Sequence, residues 1–136
     1  MITFFVPGIP VPKGSRKSFI CKQTGVIRNK DANDNTKPWQ LAIAWATREA
    51  MSGRDPMQGA VKVTAVFHMP KPKSYPKRRE IAHKKKPDLD KLQRALFDAL
   101  KQGGAYNDDS QVIAVEAWKG YADTCGAVVT VAEVGE

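Results

Sequence analysis

The 136 residues include only two cysteines, Cys21 and Cys125, and no CxxC pair. A disulfide framework and a thiolate zinc site are therefore not expected, and a reducing cytoplasm is the simplest compartment. Histidine is equally scarce: His68 and His83 are too few and too far apart for an HExxH zinc helix. There is no GxxxxGK(S/T) phosphate loop and no GxSxG nucleophile elbow. No apolar run approaches the roughly 18 residues of a membrane span, so no membrane helix is expected. Met1–Pro7 has no basic stretch ahead of its apolar residues and does not read as a signal peptide. Any chemistry has to come from carboxylates, amines or hydroxyls, with no organic cofactor.

What the chain has in excess is positive charge, unevenly placed. Residues 1–86 hold 18 Lys/Arg against 5 Asp/Glu, residues 87–136 hold 4 against 9, and the whole carries +8. A basic body joined to an acidic remainder points to a polyanionic partner and to a separate, local need for carboxylates. The length and the 42% hydrophobic content suit one domain, residues 1–136, with a core of its own.

Residues 2–6 are short, apolar and β-rich. Pro7, Pro10 and Pro12 then forbid a helix or a central strand, so the segment reads as an extended edge leading into a basic loop, Lys13 to Lys17. Ser18–Cys21 and Val26–Arg28 flank Gly25 as a small hairpin. Pro38 suits a first helical turn, and Trp39 to Met51 follow with Trp39, Ile43, Ala46 and Ala50 on one stripe. Leu41, Ala42, Ala44 and Trp45 widen that apolar face, so this helix is well buried or partly in an interface. Residues 60–69 alternate strictly, with Val61, Val63, Ala65, Phe67 and Met69 on one side. Residues 70–87 are proline-broken and strongly cationic, a loop expected to be mobile without a partner. Asp88 to Lys101 is the best helix, with Leu89, Leu92, Leu96, Ala99 and Leu100 as its apolar stripe and Gly103-Gly104 as its stop. Residues 111–119 and 127–134 read as strands. The pattern predicts an α+β domain: one mixed, largely antiparallel sheet with two helices packed on it.

The sharpest chemical signal is Asp88-Leu89-Asp90 at the start of that helix, followed 18 to 21 residues later by Asp108-Asp109. A hard dication such as Mg²⁺ takes a few carboxylates and completes its octahedron with water and phosphate oxygens. A helix of about 13 residues runs about 20 Å away from its start. The eight residues from Lys101 to Asp109 span at most about 27 Å. Asp109 can therefore return to Asp88 and Asp90 within one chain only if the loop runs back nearly straight; otherwise it joins from a second subunit. Each motif also has a plainer reading. Asp-x-Asp at a helix start is a cap, and Asp108-Asp109-Ser110 is a solvated turn. The setting favours the metal, because the cationic loop runs directly into the carboxylates. Arg94, four residues after Asp90, faces the same side and can stabilise a phosphorane or simply pair with Asp90 or Asp98. Lys86 and His83 precede the carboxylates and are candidate contacts to the cut strand. Trp39, Trp45 and Trp118 read as core or interface residues, and Tyr75 and Tyr106 as loop tyrosines able to stack on a base.

With these residues in view, the chain resembles the RusA family of Holliday junction resolvases over nearly its whole length. Phe5-Val6-Pro7-Gly8-Ile9-Pro10-Val11-Pro12-Lys13-Gly14 resembles the family's first strand and basic loop. Lys86-Pro87-Asp88-Leu89-Asp90-Lys91-Leu92-Gln93-Arg94-Ala95-Leu96-Phe97-Asp98-Ala99-Leu100 resembles its signature helix. Asn107-Asp108-Asp109-Ser110-Gln111-Val112 resembles its second acidic motif.

The resemblance implies a homodimeric, Mg²⁺-dependent endonuclease acting on four-way branched DNA, with Mn²⁺ able to substitute. The family's essential aspartates fall on Asp88, Asp90 and Asp109, expected to hold one or two metals, with Asp108 left open as a further ligand. The family's catalytic lysine falls on Arg94, which keeps the charge but does not give up its proton. If a proton must move, Lys86 is a candidate. Lys91 stands where many relatives carry asparagine. Lys13, Arg16, Lys17, Lys71, Lys73, Lys77, Arg78, Arg79, Lys84, Lys85 and Lys86 are the expected contacts to the DNA backbone. Two other functions fit the same residues: a non-catalytic basic nucleic-acid-binding protein, and a looser nuclease for flaps or forks.

Overall fold

The alternation along residues 60–69 is realised in full. Val61, Val63, Ala65, Phe67 and Met69 are buried, and the residues between them are only partly so. The computed structural model describes the backbone of residues 1–13, 16–20, 27–31 and 35–135, and the side chains of residues 1–13 and 35–135. Its elements are β1 (Ile2–Pro7), β2 (Arg16–Ile20), β3 (Ile27–Asp31), α1 (Thr36–Met51), β4 (Val61–Pro70), α2 (Leu89–Gln102), a 3-10 turn (Asp109–Gln111), β5 (Val112–Ala122) and β6 (Gly126–Glu133). β2 and β3 form the expected antiparallel hairpin. The other strands make one sheet in the order β1-β6-β4-β5. β6 is antiparallel to both β1 and β4, whereas β4 and β5 are parallel. The domain is thus α+β with a mixed, mostly antiparallel sheet, as its pattern predicts. Its parallel pair is the one joined through α2, since parallel strands need a long crossover.

Register stacks the core in rows across the sheet. Ile2, Val131 and Val63 are neighbours, as are Val6, Ala127 and Phe67. Both helices cover this face. α2 buries Leu92, Ala95, Leu96, Ala99 and Leu100, and α1 buries Trp39, Ile43 and Met51. Each large side chain so buried contributes about 1.5–3 kcal/mol relative to exposure. Gln40 is buried between the helices and satisfied, its amide donating to the Ala95 carbonyl at 3.2 Å. α1 is also wider in its apolar character than its buried stripe. Leu41 and Trp45 lie on its solvent side, the latter 64% exposed. Trp118 on the edge strand β5 is 69% exposed, so of the three tryptophans only Trp39 is in the core. Among the described residues, no helix is long and apolar enough to cross a membrane.

The helices meet most closely at the end of α2. Its last turn closes with the Gly103 N–H on the Ala99 carbonyl and the Ala105 N–H on the Leu100 carbonyl. A Cβ on Gly103 would lie 2.6 Å from Thr47 Cβ and 2.7 Å from the Ala44 carbonyl oxygen, which is backbone and cannot yield. Gly103→Ala is therefore expected to destabilise the protein by about 1–3 kcal/mol, the range for overpacking. Thermal or urea unfolding checks this; an unchanged midpoint would contradict the close approach.

Candidate metal centre and nucleic-acid interface

The apolar stripe of α2 fixes which of its residues can face solvent, and these are the charged ones. Asp88 occupies the N-cap position with extended torsions, yet its side chain makes no cap hydrogen bond. Its carboxylate is 53% exposed and 3.8 Å from Lys91 Nζ. The expected capping role is thus filled by position alone, and the carboxylate stays free for another partner. Asp90 follows in the first turn and is exposed. The backbone leading into this turn is held by a residue that sequence reasoning missed. Lys119 on β5 donates to the Lys85 carbonyl at 2.6 Å and to the Pro87 carbonyl at 2.8 Å. Nothing in the sequence around Lys119 marks it; only the β4–β5 register places it beneath the loop.

Asp90, Arg94 and Asp98 recur every fourth residue, so they share one face of α2. Asp98 pairs with Lys13. Asp109 lies beside Asp98, and Lys13, Arg94, Phe97, Asp98 and Asp109 line one small pocket. Burial first, then the like charge of Asp98, raise the Asp109 pKa above its ordinary value. Asp109 Oδ1 is buried and has no hydrogen-bond partner among the described residues. The neighbouring Asp108 does a different job. It accepts from the Ser110 N–H at 3.0 Å, which holds its carboxyl below the ordinary value. Gln111 completes this capping box, its side-chain oxygen accepting from the Asp108 and Asn107 N–H groups. The Gln111 amide then donates to the Met57 and Gly59 carbonyls at 2.8 and 2.9 Å. Asp108 is therefore the cap of the turn that presents Asp109. Gln111, overlooked in the sequence, anchors that turn to the chain leading into β4.

The return loop does not run straight back along α2. After Gly104 the chain turns inward and buries Ala105 and Tyr106. The Tyr106 hydroxyl donates to the Phe97 carbonyl at 2.9 Å. Tyr106 is thus a core anchor, not a loop tyrosine free to stack on a base, and burial with the nearby Asp109 charge pushes its pKa up. The chain then leaves for β5 with Asp109 beside Asp98, eight residues and about 12 Å along the helix axis from Asp90. The structure brings Asp88 and Asp90 together at the head of α2, and Asp109 together with Asp98 farther along. Among the described residues, no group of three or more His, Cys, Asp or Glu is arranged to hold a metal ion. The donors still suit a hard dication. They are all carboxylate oxygens, and one of them is buried without a partner. Such an ion takes water and substrate oxygens for its remaining positions.

The cationic loop has no helix or strand of its own, as its prolines predict, and it is tied to β5 at several points. Tyr75 packs edge-on against Tyr121 with ring centroids 5.4 Å apart, and its hydroxyl accepts from the Ile81 N–H. Ala82 bridges to Gly120. His83 is buried against Tyr121, and burial lowers its pKa. Lys71 is tied to Asp123 at 3.0 Å. Lys73, Lys77, Arg78, Arg79, Lys84, Lys85 and Lys86 are exposed. Arg16 and Lys17 open β2, and their side chains lie outside the described residues. A cleft of about 730 Å³ runs between Pro10–Pro12 and the end of this loop, with Asp88 and Lys91 in its wall.

Compared with models of known families, residues 7–132 match the one described as Endodeoxyribonuclease RusA. No curated protein matches the chain.

Two outcomes follow from this geometry. Because the folded protein prefers Asp109 protonated, its ionisation costs stability above the folded pKa, and this cost vanishes below the unfolded value. Asp109→Asn is expected to raise the metal-free melting temperature at neutral pH, with the gain disappearing as pH falls through the ordinary Asp range. Scanning calorimetry across pH checks the sign; destabilisation at neutral pH would contradict it. Lys119→Met removes both bonds that seat Lys85–Pro87. Hydrogen exchange at residues 85–90 should quicken about tenfold or more while the core amides stay protected, because a charge-assisted bond contributes about 1.5–3 kcal/mol. Unchanged exchange would show that Lys119 does not hold the loop.

Proposed function

The chain belongs to the RusA endodeoxyribonuclease family, and we propose that it is a Mg²⁺-dependent nuclease that resolves four-way DNA junctions by paired nicks in recombination and repair. The observation that carries this reading is the junction of two opposite surfaces. A loop with exposed Lys73, Lys77, Arg78, Arg79, Lys84, Lys85 and Lys86 ends directly at the uncapped Asp88 carboxylate. A protein that only binds nucleic acid gains nothing from anionic groups at the end of its phosphate-binding surface, because they repel the ligand.

Asp88 and Asp90 at one end of the acidic α2 face would hold the metal together with an Asp109 supplied across a twofold axis by a second copy of the chain. Bound there, Mg²⁺ supplies an activated water and offsets charge on the leaving oxygen. The protein's own groups do the remaining work. Lys84 to Lys86 and the loop before them grip the phosphates on either side of the cut. Lys119 keeps the Asp88 backbone in place beneath them. Arg94, between the two acidic ends, offers a delocalised cation to the crowded phosphorus while keeping its proton.

A homodimer would set two such sites on opposed strands of a near-symmetric junction. Its support lies on β5, which is an open sheet edge carrying exposed Ile113, Val115 and Trp118, and on α1 with exposed Leu41 and Trp45. Large exposed apolar residues, some of them on an edge strand, favour a protein partner.

The test is incubation with a four-way junction, a fork and a linear duplex, with and without Mg²⁺. Paired, opposed nicks in the junction alone, and only with Mg²⁺, are expected. Asp90→Asn should bind the junction normally and cut it at least about 10³-fold more slowly, as loss of a transition-state group requires several kcal/mol. Equal cutting of forks would identify a looser branched-DNA nuclease. Binding without cutting under any dication would identify a non-catalytic protein. Replacing Lys84, Lys85 and Lys86 together by Ala should flatten the log-log salt dependence of junction binding by about 2–3, near 0.9 for each phosphate no longer neutralised. An unchanged slope would place the backbone contacts elsewhere.

A further inference from the structure

The cleft beside the cationic loop shares one wall residue, Asp88, with the candidate metal centre, and the rest of its lining has a different character. It lies where the parallel strands β4 and β5 end, with Met69 and Tyr121 side by side in register. Crevices outside the carboxyl ends of parallel strands are where open sheets receive ligands. Val11 and Pro87 add apolar surface, and the volume of about 730 Å³ falls within the range of about 300–1,000 Å³ typical of small-molecule sites. His83 belongs to the same lining, its ring packed on Tyr121 with centroids 4.6 Å apart. The residue is 9% exposed, and its Nδ1 is buried with no hydrogen-bond partner among the described residues. Native structures seldom leave such a nitrogen unpaired unless a ligand or water comes to it. Lys85 and Lys86, both exposed, bring positive charge to the rim.

These features describe one ligand chemistry: a flat, largely apolar body with a hydrogen-bonding edge, joined to a phosphate. A nucleotide has all of them. In a continuous duplex its base is stacked and paired and cannot enter a cleft. At a branch point the stack is interrupted, and turning a base out costs less. Resting on the nuclease reading, we infer that this cleft receives one unstacked nucleotide of the branched DNA, beside the phosphate to be cut, with its base against Val11 and Tyr121, its edge offered to His83 and its phosphate to Lys85 and Lys86. His83 then determines which base is accepted, because a buried polar group discriminates against the base that leaves it unpaired. The shared residue Asp88 makes the two sites contiguous, so the seated base holds the neighbouring phosphate at the aspartates. Selection of branched DNA follows from the same step, since a base that stays stacked is not seated.

Photocrosslinking reads the cleft without any metal chemistry. Four-way junctions carrying 5-iodouracil at one position at a time around the crossover are bound to the full chain in EDTA and irradiated, and the joined peptides are sequenced. One position should crosslink about tenfold or more above its neighbours, to His83 or Tyr121, as stacking of a single base on a side chain requires. A linear duplex of the same sequence should give about tenfold less. Val11→Arg fills the cleft and keeps the surface cationic; it should lower that crosslink about tenfold while the junction stays bound. Melting curves confirm that each variant is folded. His83→Phe keeps the packing on Tyr121 and loses the ring nitrogens. With Mg²⁺, the wild type should cut junctions differing only at the crosslinked position at rates about tenfold or more apart, and His83→Phe should bring them within about twofold. Crosslinks spread evenly over the positions, equal on the linear duplex, or unchanged in Val11→Arg overturn the assignment. A base preference that survives in His83→Phe overturns the role of His83. A wild type that gives the single crosslink and cuts nothing under any dication keeps the cleft and overturns the nuclease reading. One that nicks opposed strands with no crosslink in the cleft overturns the cleft alone.

Discussion

One helix has to bury one side and charge the other, and the rest of the site depends on that division. Leu92, Leu96 and Leu100 are fully buried and set which side of α2 faces the core. Asp90, Arg94 and Asp98 are consequently held in a line on its outer side. A slip of one residue would turn these carboxylates into the core, where an unpaired charge costs several kcal/mol. The packing that stabilises the fold is therefore also what aims the chemistry. The second acidic segment is aimed by the same means, through the buried Tyr106 tethered to Phe97 and the turn capped by Asp108 and Gln111.

Crowding carboxylates beside one another works against stability, and the chain offsets this locally. Asp98 has Lys13 and Asp88 has Lys91, whereas Lys101 and Tyr106 favour the charged form of Asp109 less than burial and the like charge of Asp98 oppose it. Asp109 is accordingly a carboxylate that the fold pushes toward its protonated form, through burial and the Asp98 charge. Strain of this kind gathers where a group is kept for function. The cationic loop has the opposite problem. Its mutual repulsion is held in check by the packing of Tyr75 and His83 on Tyr121 and by Lys119 on the carbonyls of Lys85 and Pro87. The loop's exposed lysines and arginines stay solvated on a framework built from other residues.

Local pattern was enough wherever one period dominated a segment. The alternation of residues 60–69, the leucine stripe of α2 and the prolines after β1 each gave the right element, because burial on one face leaves a direct trace in the order of residues. The acidic motifs were equally plain, since Asp-x-Asp and Asp-Asp stand out by type. What the order of residues concealed was their mutual distance. Tyr106 reads as a polar-loop residue, yet its burial diverts the return chain so that Asp109 meets Asp98 instead of the head of α2. Lys119 and Gln111 act on carbonyls distant in sequence, and carbonyls carry no sequence signal. Trp118 reads equally well as core or as interface, and only the strand order β1-β6-β4-β5, which leaves β5 at the sheet edge, decides between them in favour of the surface.

The central claim is that these aspartates share a divalent ion next to the cationic loop. Anomalous diffraction from a crystal grown with saturating Mn²⁺ tests it most directly. The account predicts a peak bonded to Asp88 or Asp90 of one chain and to Asp109 of its twofold mate. A well-ordered crystal whose manganese peaks touch none of these carboxylates would contradict it.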